Sequence, residues 1–260
     1  MAIAGETLLA ADEPSPVRVL HESGTSEFLL TADHAGRMIP RRLGTLGVPD
    51  SELDRHIAWD IGIAGVTEHL AAALDATAVL QVYSRLVIDC NRDPSVASSM
   101  PEVSETTPIP GNVGLTAADR AARVHAIFTP YHARIEALLD ARAAARRRTV
   151  LVAMHSFTPV FKGEPREVQV GVLFNRDARL ASALLAQLRA EGDIVVGENA
   201  PYAVSDTSDY GVPVHGEKRG LAHVEIEIRQ DLIADPPGQA AWAARFARLL
   251  PAADAALRLC

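Results

Sequence analysis

The stretch Thr149–Pro159 reads TVLVAMHSFTP, an apolar run that is followed by a histidine. Five of the six residues before His155 are apolar, which is typical of a central strand in an α/β sheet whose two faces are covered by helices. In open α/β sheets the ligand site lies at the carboxyl ends of the strands. The position of His155 at the end of this strand therefore predicts a role in chemistry, and we interpret it as a metal ligand.

The length and composition of the chain are those of an ordinary globular protein. Its 260 residues can bury a large core and no linker-like stretch divides them, so we expect one domain over residues 1–260. No apolar run approaches the roughly 18 residues that a membrane span needs. A formal net charge of −8 argues against non-specific binding to nucleic acid, which depends on Lys and Arg neutralising phosphates. We therefore expect neither nucleic acid nor a membrane as a partner.

The N-terminal segment and the cysteines indicate the cellular compartment. The segment MAIAGE has no basic part followed by an apolar one, so no secretory signal is predicted. Cys90 and Cys260 lie far apart and form neither a disulfide framework nor a Cys-x-x-Cys metal motif, in agreement with a reducing environment. We expect a cytoplasmic protein.

Strand-like and helix-like segments alternate along the chain, which predicts an α/β fold with a mostly parallel or mixed central sheet and helices on both faces. Residues 1–20 are expected to form a surface arm. We predict strands over residues 27–32, 77–82, 86–89, 149–154, 168–174, 193–196 and 223–229. We predict helices over residues 60–74, 116–129, 130–148, 177–191 and 239–250.

Polar side chains recur at the ends of other predicted elements. His34 follows the strand 27–32, where it either bonds to the backbone of a loop or binds a metal. Asp60 opens a predicted helix, where it either caps free amide groups or serves as a ligand. Arg92 either pairs with a neighbouring aspartate or holds a substrate carboxylate with its guanidinium fork, with Asn91 as an amide donor.

The last predicted strand alternates in polarity, with His223, Glu225, Glu227 and Arg229 on one face. An edge strand with one wet face would explain this alternation. A central strand would instead require a partner for the buried carboxylates, because charge taken out of water is costly. A metal site would supply that partner.

Two long segments without clear periodicity, residues 94–115 and 197–220, are expected to form loops over the site. The second loop offers polar groups to a substrate, namely Asn199, Tyr202, Tyr210, His215 and Arg219. Two strand-end histidines, an acidic residue at a helix start and a late glutamate together fit a catalytic zinc site. Such a site has three N or O ligands from the protein, an open position and a carboxylate base.

Six blocks of the sequence resemble the N-formylglutamate amidohydrolase family. They are DHAG with IP at 33–40, HIAWDIG at 56–62, SRLVIDCNR at 84–92, HSFTP at 155–159, EN with PY at 198–202, and HVEIEIRQDL at 223–232. That family is similar in fold to the zinc carboxypeptidases, the aspartoacylases and the zinc-dependent cell-wall amidases. The resemblance implies a zinc-carboxypeptidase-like α/β fold.

The resemblance also implies a metal centre of zinc, or of another divalent metal, with His34 and His155 as ligands. Carboxypeptidases carry a ligand glutamate three residues after the first histidine, where this chain has Arg37. Cell-wall amidases take the acidic ligand from the start of the following helix, which corresponds to Asp60 here. We therefore predict Asp60 as the third ligand, with Asp33 as the alternative.

By the same resemblance, Glu227 rather than Glu225 corresponds to the general base. The implied reaction is hydrolysis of the N-acyl amide, above all the N-formyl amide, of an acidic amino acid such as N-formylglutamate. A small acylated amino acid is thus the expected partner. The predicted substrate-binding residues are Arg85, Asn91, Arg92, Ser156, Tyr202, His215 and Arg219.

Two other functions stay open on the sequence. A zinc peptidase or cell-wall-type amidase would use the same centre, although the missing secretion signal disfavours it. A non-catalytic carboxylate-binding protein would have kept the fold and lost the metal.

Overall fold

A seven-stranded mixed sheet forms the centre of the computed structural model, which describes residues 7–259. The strands are β1 (Val17–Leu20), β2 (Phe28–Ala32), β3 (Thr77–Gln81), β4 (Val103–Ser104), β5 (Thr107–Pro108), β6 (Val150–Phe157), β7 (Val160–Phe161), β8 (Glu164–Pro165), β9 (Val170–Leu173), β10 (Val196–Glu198) and β11 (Ala222–Arg229). The sheet order is β1-β3-β2-β6-β11-β9-β10, whereas β4 with β5 and β7 with β8 form two small hairpins.

Three neighbouring strands, β2, β6 and β11, run parallel at the centre of this sheet. The predicted strand around residues 149–154 is confirmed as β6, in which all eight residues are buried. β1 pairs antiparallel with β3 and β9 pairs antiparallel with β11, so the sheet is mixed. The carboxyl ends of β2, β6 and β11 therefore meet at one edge of the sheet.

Helices cover both faces of the sheet, as predicted. They are α1 (Asp50–Leu53), α2 (Ile63–Leu74), α3 (Ala117–Arg123), α4 (Thr129–Ala144), α5 (Arg179–Glu191) and α6 (Pro236–Leu257). Successive residues of β6 point to opposite faces, so Val152 packs in the core beneath α2, α5 and α6 while Leu151 packs in the core beneath α4. Among residues 7–259, no helix has the length and apolar character that crossing a membrane requires.

Two sequence predictions about strands are wrong. In place of the strand predicted over residues 86–89, a turn covers residues 85–87 and irregular chain follows it, because Ser84 accepts the Leu86 amide with its hydroxyl and the Val87 amide with its carbonyl oxygen. Leu86, Val87 and Ile88 are apolar because they fill the core on the α4 face. Residues 17–20 belong to the sheet as the edge strand β1, although residues 1–20 were expected to form a surface arm; residues 1–6 of that predicted arm lie outside the described residues.

The helix boundaries also differ from the predicted ones. The helix expected from Asp60 begins at Ile63, because Gly62 has a φ of 82° and turns the chain just before it. A capping box between Thr116 and Asp119 starts α3 as predicted, and a single wide turn over Val124–Phe128 continues it into α4. The last helix is longer than expected and runs to Leu257.

The alternative of an edge strand at residues 223–229 is also wrong. β11 lies between β6 and β9, and its residues from His223 to Ile228 are buried. The carboxylates of this strand are therefore inside the protein, where they need partners.

Candidate active site

A cavity of about 450 Å³ opens at the carboxyl ends of β2, β6 and β11. Most of the residues predicted from the sequence to form the site line it. They are His34, Asp60, Arg85, Asn91, Arg92, His155, Ser156, Tyr202, Glu225 and Glu227. Both loops expected over the site contribute, through Glu105 from the first and Asp209 from the second.

The three predicted metal ligands converge on one point of this cavity. The Nδ1 atoms of His34 and His155 lie 3.4 Å and 3.1 Å from the same oxygen, Asp60 Oδ2. One candidate ligand atom from each residue lies within 4.8 Å of the others, and all three residues are buried. This His-Asp-His cluster is a candidate metal centre.

The other nitrogen of each ring faces a carboxylate. His34 Nε2 lies 2.7 Å from Asp89 Oδ1, and His155 Nε2 lies 3.7 Å from Asp33 Oδ2. A proton on His34 Nε2 leaves the lone pair of Nδ1 free, and within residues 7–259 this buried Nδ1 has no hydrogen-bond partner. Metal-binding histidines generally donate their second ring nitrogen to a carboxylate in this way. The residues therefore fit a divalent metal.

Electrostatics within the cluster stabilise an ionised carboxylate between two imidazoles. Burial alone would raise the pKa of Asp60, but the charge of His34 and the hydrogen bond with His155 hold it far below its usual range. Burial would lower the pKa of His155, but its hydrogen bond with Asp60 and the charge of Glu225 raise it well above the usual value. A metal cation would replace the protons in this arrangement, because ligands must be deprotonated to bind one.

The backbone of the preceding turn aims Asp60 at the histidines. The Asp60 amide donates to the His34 carbonyl oxygen at 2.9 Å, which joins the turn to the end of β2. From β6, the Ser156 amide donates to Asp60 Oδ2 at 3.1 Å, and the Ser156 hydroxyl donates to the Ile61 carbonyl oxygen at 2.9 Å. Ser156 thus lines the cavity, but its hydroxyl already donates a hydrogen bond to the turn that carries Asp60.

Glu225 and Glu227 provide two further carboxylates from β11. Glu227 is the direct cross-strand neighbour of His155, so the two side chains emerge on the same side of the sheet. Burial raises the pKa of each glutamate to about 8. Glu227 Oε2 and Glu225 Oε2 are both buried, and neither has a hydrogen-bond partner among the described residues. A partner-free carboxylate beside a metal centre is suited to proton transfer.

Asp89 is a site residue whose role the sequence did not reveal. Its Oδ1 bonds to His34, while its Oδ2 accepts two hydrogen bonds from Arg85, at 3.1 Å and 2.7 Å. Arg85 also lies 3.5 Å from Asp60 Oδ1. The polar residues that follow Ile88 were the available signal, but in the sequence they indicated only an ion pair between Arg92 and a neighbouring aspartate.

Two predicted substrate contacts lie outside the cavity. His215 is buried and its Nε2 lies 2.9 Å from His132 Nδ1, while Arg219 pairs with Asp140 at 2.6 Å. The loop 197–220 turns away from the cavity after Asp209, so only its first half faces the site. We therefore leave His215 and Arg219 out of the proposed substrate site.

The His132–His215 pair is hydrogen-bonded to the backbone of the site at Cys90. His132 Nε2 donates to the Cys90 carbonyl oxygen at 2.8 Å, so His132 Nδ1 is the acceptor for His215. Burial lowers the pKa of His132 to about 3 and that of His215 to about 4. Both histidines are therefore neutral in the folded protein, and they hold the backbone between Asp89 and Asn91.

This pair should make folding sensitive to acid. Between pH 6.5 and about 4, unfolded histidines bind protons that the folded pair excludes, so stability falls as the pH falls. Each histidine contributes up to about 1.4 kcal/mol per pH unit in this window. We expect His132→Gln to flatten the dependence of the unfolding free energy on pH, measured by urea denaturation. His69→Gln, an exposed control on α2, should leave the slope unchanged, and an equal slope in His132→Gln and wild type would refute the prediction.

Fold and site together define a class of protein, an α/β protein with a candidate metal centre and buried carboxylates in a cavity at the strand ends. A family model described as N-formylglutamate amidohydrolase matches residues 26–234, so the chain belongs to this family. The predicted fold class and the resemblance stated above are thereby confirmed. Family membership supports an amidohydrolase that acts on a small molecule.

Two solved structures have the same fold. A gene product of Agrobacterium tumefaciens is 41% identical, with a TM-score of 0.93, over 96% of this chain and 99% of that chain. The N-formylglutamate amidohydrolase of Ralstonia eutropha JMP134 is 18% identical, with a TM-score of 0.69, over 95% of this chain and 100% of that chain. The comparison with curated proteins gave no match.

Proposed function

We propose that this protein is a metal-dependent amidohydrolase that removes the N-formyl group from an acidic amino acid such as glutamate. The observation that carries the proposal is the convergence of two imidazole Nδ1 atoms on Asp60 Oδ2. On the same wall of the cavity lies the Glu227 carboxylate, whose buried Oε2 has no hydrogen-bond partner in the part of the chain that the structure describes. Family membership supports the amide as the bond that is cleaved.

His34, Asp60 and His155 are the residues that would hold the metal, for which we propose zinc. When bound to three protein ligands with one open position, zinc lowers the pKa of water to about 7 and polarises a carbonyl group. His34 is kept in the ligand tautomer by Asp89, and Asp89 is in turn held by Arg85. Arg85 therefore acts in this proposal by orienting the metal-binding residues.

Glu227 is the proposed general base. It accepts a proton from the attacking water as the water oxygen bonds to the formyl carbon. It then delivers that proton to the amide nitrogen as the carbon–nitrogen bond breaks, which yields formate and the free amino acid. Arg92 and Asn91, which line the same cavity, would hold a carboxylate of the substrate.

The walls of the cavity favour a small substrate over a peptide or cell-wall polymer. Glu105 of the first loop accepts the Lys162 amide at 3.0 Å and also pairs with Arg55, so two hairpins meet beside the opening. Tyr202 of the second loop lines the cavity. An extended chain would have to pass these contacts, whereas an acylated amino acid would not.

A substrate panel tests the proposed function. Zinc-loaded protein is incubated with N-formylglutamate, N-acetylglutamate and a glutamyl dipeptide, and release of formate, acetate or amino acid is measured. We expect the fastest release from N-formylglutamate. Faster cleavage of the dipeptide would favour a peptidase, and no cleavage with retained binding of glutamate would favour a carboxylate-binding protein.

A further inference from the structure

Asp209 contacts Asn91 and Arg92, the two residues that would hold a substrate carboxylate in the proposed function. Its Oδ1 accepts a hydrogen bond from Asn91 Nδ2 at 3.1 Å and lies 3.8 Å from Arg92 Nη1. The side chain is only 10% exposed, and it lines the same cavity as the metal-binding cluster. The protein thus presents a carboxylate of its own to the pair Asn91 and Arg92.

Neighbouring residues of the same loop hold the Asp209 carboxylate in this position. Asp209 Oδ2 accepts from the Ser205 amide at 3.0 Å and from the Ser208 hydroxyl. On the other side, Asn91 Oδ1 accepts the amides of Tyr210 and Gly211, each at 2.9 Å. The amide group of Asn91 therefore binds both the side chain and the backbone of the segment 209–211.

Few positively charged side chains line the cavity, which makes the contact between Asp209 and Arg92 important. Among the described residues that line the cavity, Arg85 and Arg92 are the arginines and no lysine takes part. Arg85 is already engaged by Asp89 and Asp60. Arg92 is thus the guanidinium left for a substrate carboxylate, and Asp209 partly neutralises it.

We propose that Asp209 is a specificity-determining residue that competes with the substrate carboxylate for Asn91 and Arg92. This inference rests on the proposed function, in which that pair anchors the substrate. A carboxylate that reaches Arg92 must displace Asp209 or share the guanidinium with it, and in either case it approaches a like charge. Asp209 therefore lowers the affinity of the site for carboxylate ligands. It also reduces the ratio between the affinity for an acid and the affinity for the matching amide.

Binding of two matched ligands tests the role of Asp209 without any turnover. Glutarate and its neutral diamide, glutaramide, are titrated calorimetrically into zinc-loaded wild type and Asp209→Asn. We expect glutarate to bind about tenfold more tightly to the variant, as for a change of about 1.4 kcal/mol, and glutaramide, which has no carboxylate, to change less.

Control variants separate charge from loop structure. Ser208→Ala removes one hydrogen bond to Asp209 but keeps the carboxylate, so both affinities should stay within twofold of wild type. Asp209→Ser serves as a second neutral variant if thermal unfolding shows that Asp209→Asn is destabilised. Unchanged glutarate affinity in the neutral variants, an equal loss for both ligands, or no glutarate binding to any variant would overturn the proposal. Failure to cleave N-formylglutamate would instead count against the proposed function, because the binding comparison does not need turnover.

Discussion

Glu227→Gln is expected to lower kcat for formate release from N-formylglutamate by about 10³-fold, within the range that general acid–base catalysis contributes. Glutamine has nearly the same shape as glutamate, so the cavity and the pairing of β11 with β6 should persist. It cannot accept the proton of the attacking water. KM and zinc content should therefore stay close to the wild-type values while turnover is lost.

The neighbouring carboxylate provides the matched control. Glu225 lies on the same face of β11 but is paired with Ala153, two residues further from the end of β6 than the pair of Glu227 and His155. We expect Glu225→Gln to lower kcat less than about tenfold. Steady-state kinetics on both variants decide the assignment: equal rates in wild type and Glu227→Gln would remove Glu227 from the mechanism, and a large loss confined to Glu225→Gln would exchange the two roles.

Asp60→Asn is expected to weaken zinc binding by more than about 100-fold, a larger loss than removal of a residue that only supports a ligand, which costs about 10–100-fold. Asp60 Oδ2 is the atom on which both Nδ1 atoms converge. The amide removes the negative charge that faces His34 and His155. Zinc affinity is measured by competition with a chromophoric chelator.

Asp33 is the control for this prediction, because it is the alternative ligand. Its Oδ1 accepts the Tyr131 hydroxyl at 2.5 Å and its Oδ2 faces Nε2 of His155, the nitrogen turned away from the cluster. Asp33→Asn should therefore weaken zinc binding by about tenfold, as for a supporting residue. Loss of zinc from Asp33→Asn with retention by Asp60→Asn would show that Asp33 is the ligand.

The two histidines of the site could be predicted from the sequence because an apolar run precedes each of them, so that His34 follows β2 and His155 lies near the end of β6. His34 and His155 come from neighbouring parallel strands, and the carboxyl ends of such strands must share one edge of the sheet. Asp60 was harder, because a polar residue near the start of a helix is usually explained by capping. Its choice depended on the resemblance to a family, and the structure shows a turn before α2 that directs its carboxylate away from the helix.

The remaining contacts depend on tertiary structure that no local pattern encodes. Asn91 and Asp209 are 118 residues apart in sequence, and a loop without periodicity brings them together. His215 looked like a substrate contact because it is a polar residue of that loop, but it pairs with His132 on the far side of Cys90. The apolar run at residues 86–88, before Asp89, resembled a strand, because residues buried in a turn need the same apolar side chains as residues buried in a sheet.

The most direct test of a metal-dependent amidohydrolase at this cavity is a zinc titration of metal-free protein with formate release as the readout. Activity on N-formylglutamate should be absent before zinc is added and should rise in proportion to zinc up to one ion per chain. Glu227→Gln should bind the same amount of zinc and stay inactive, whereas His155→Ala should neither bind zinc at this affinity nor turn over. Full activity in the metal-free protein, or undiminished activity in His155→Ala, would contradict the proposed centre.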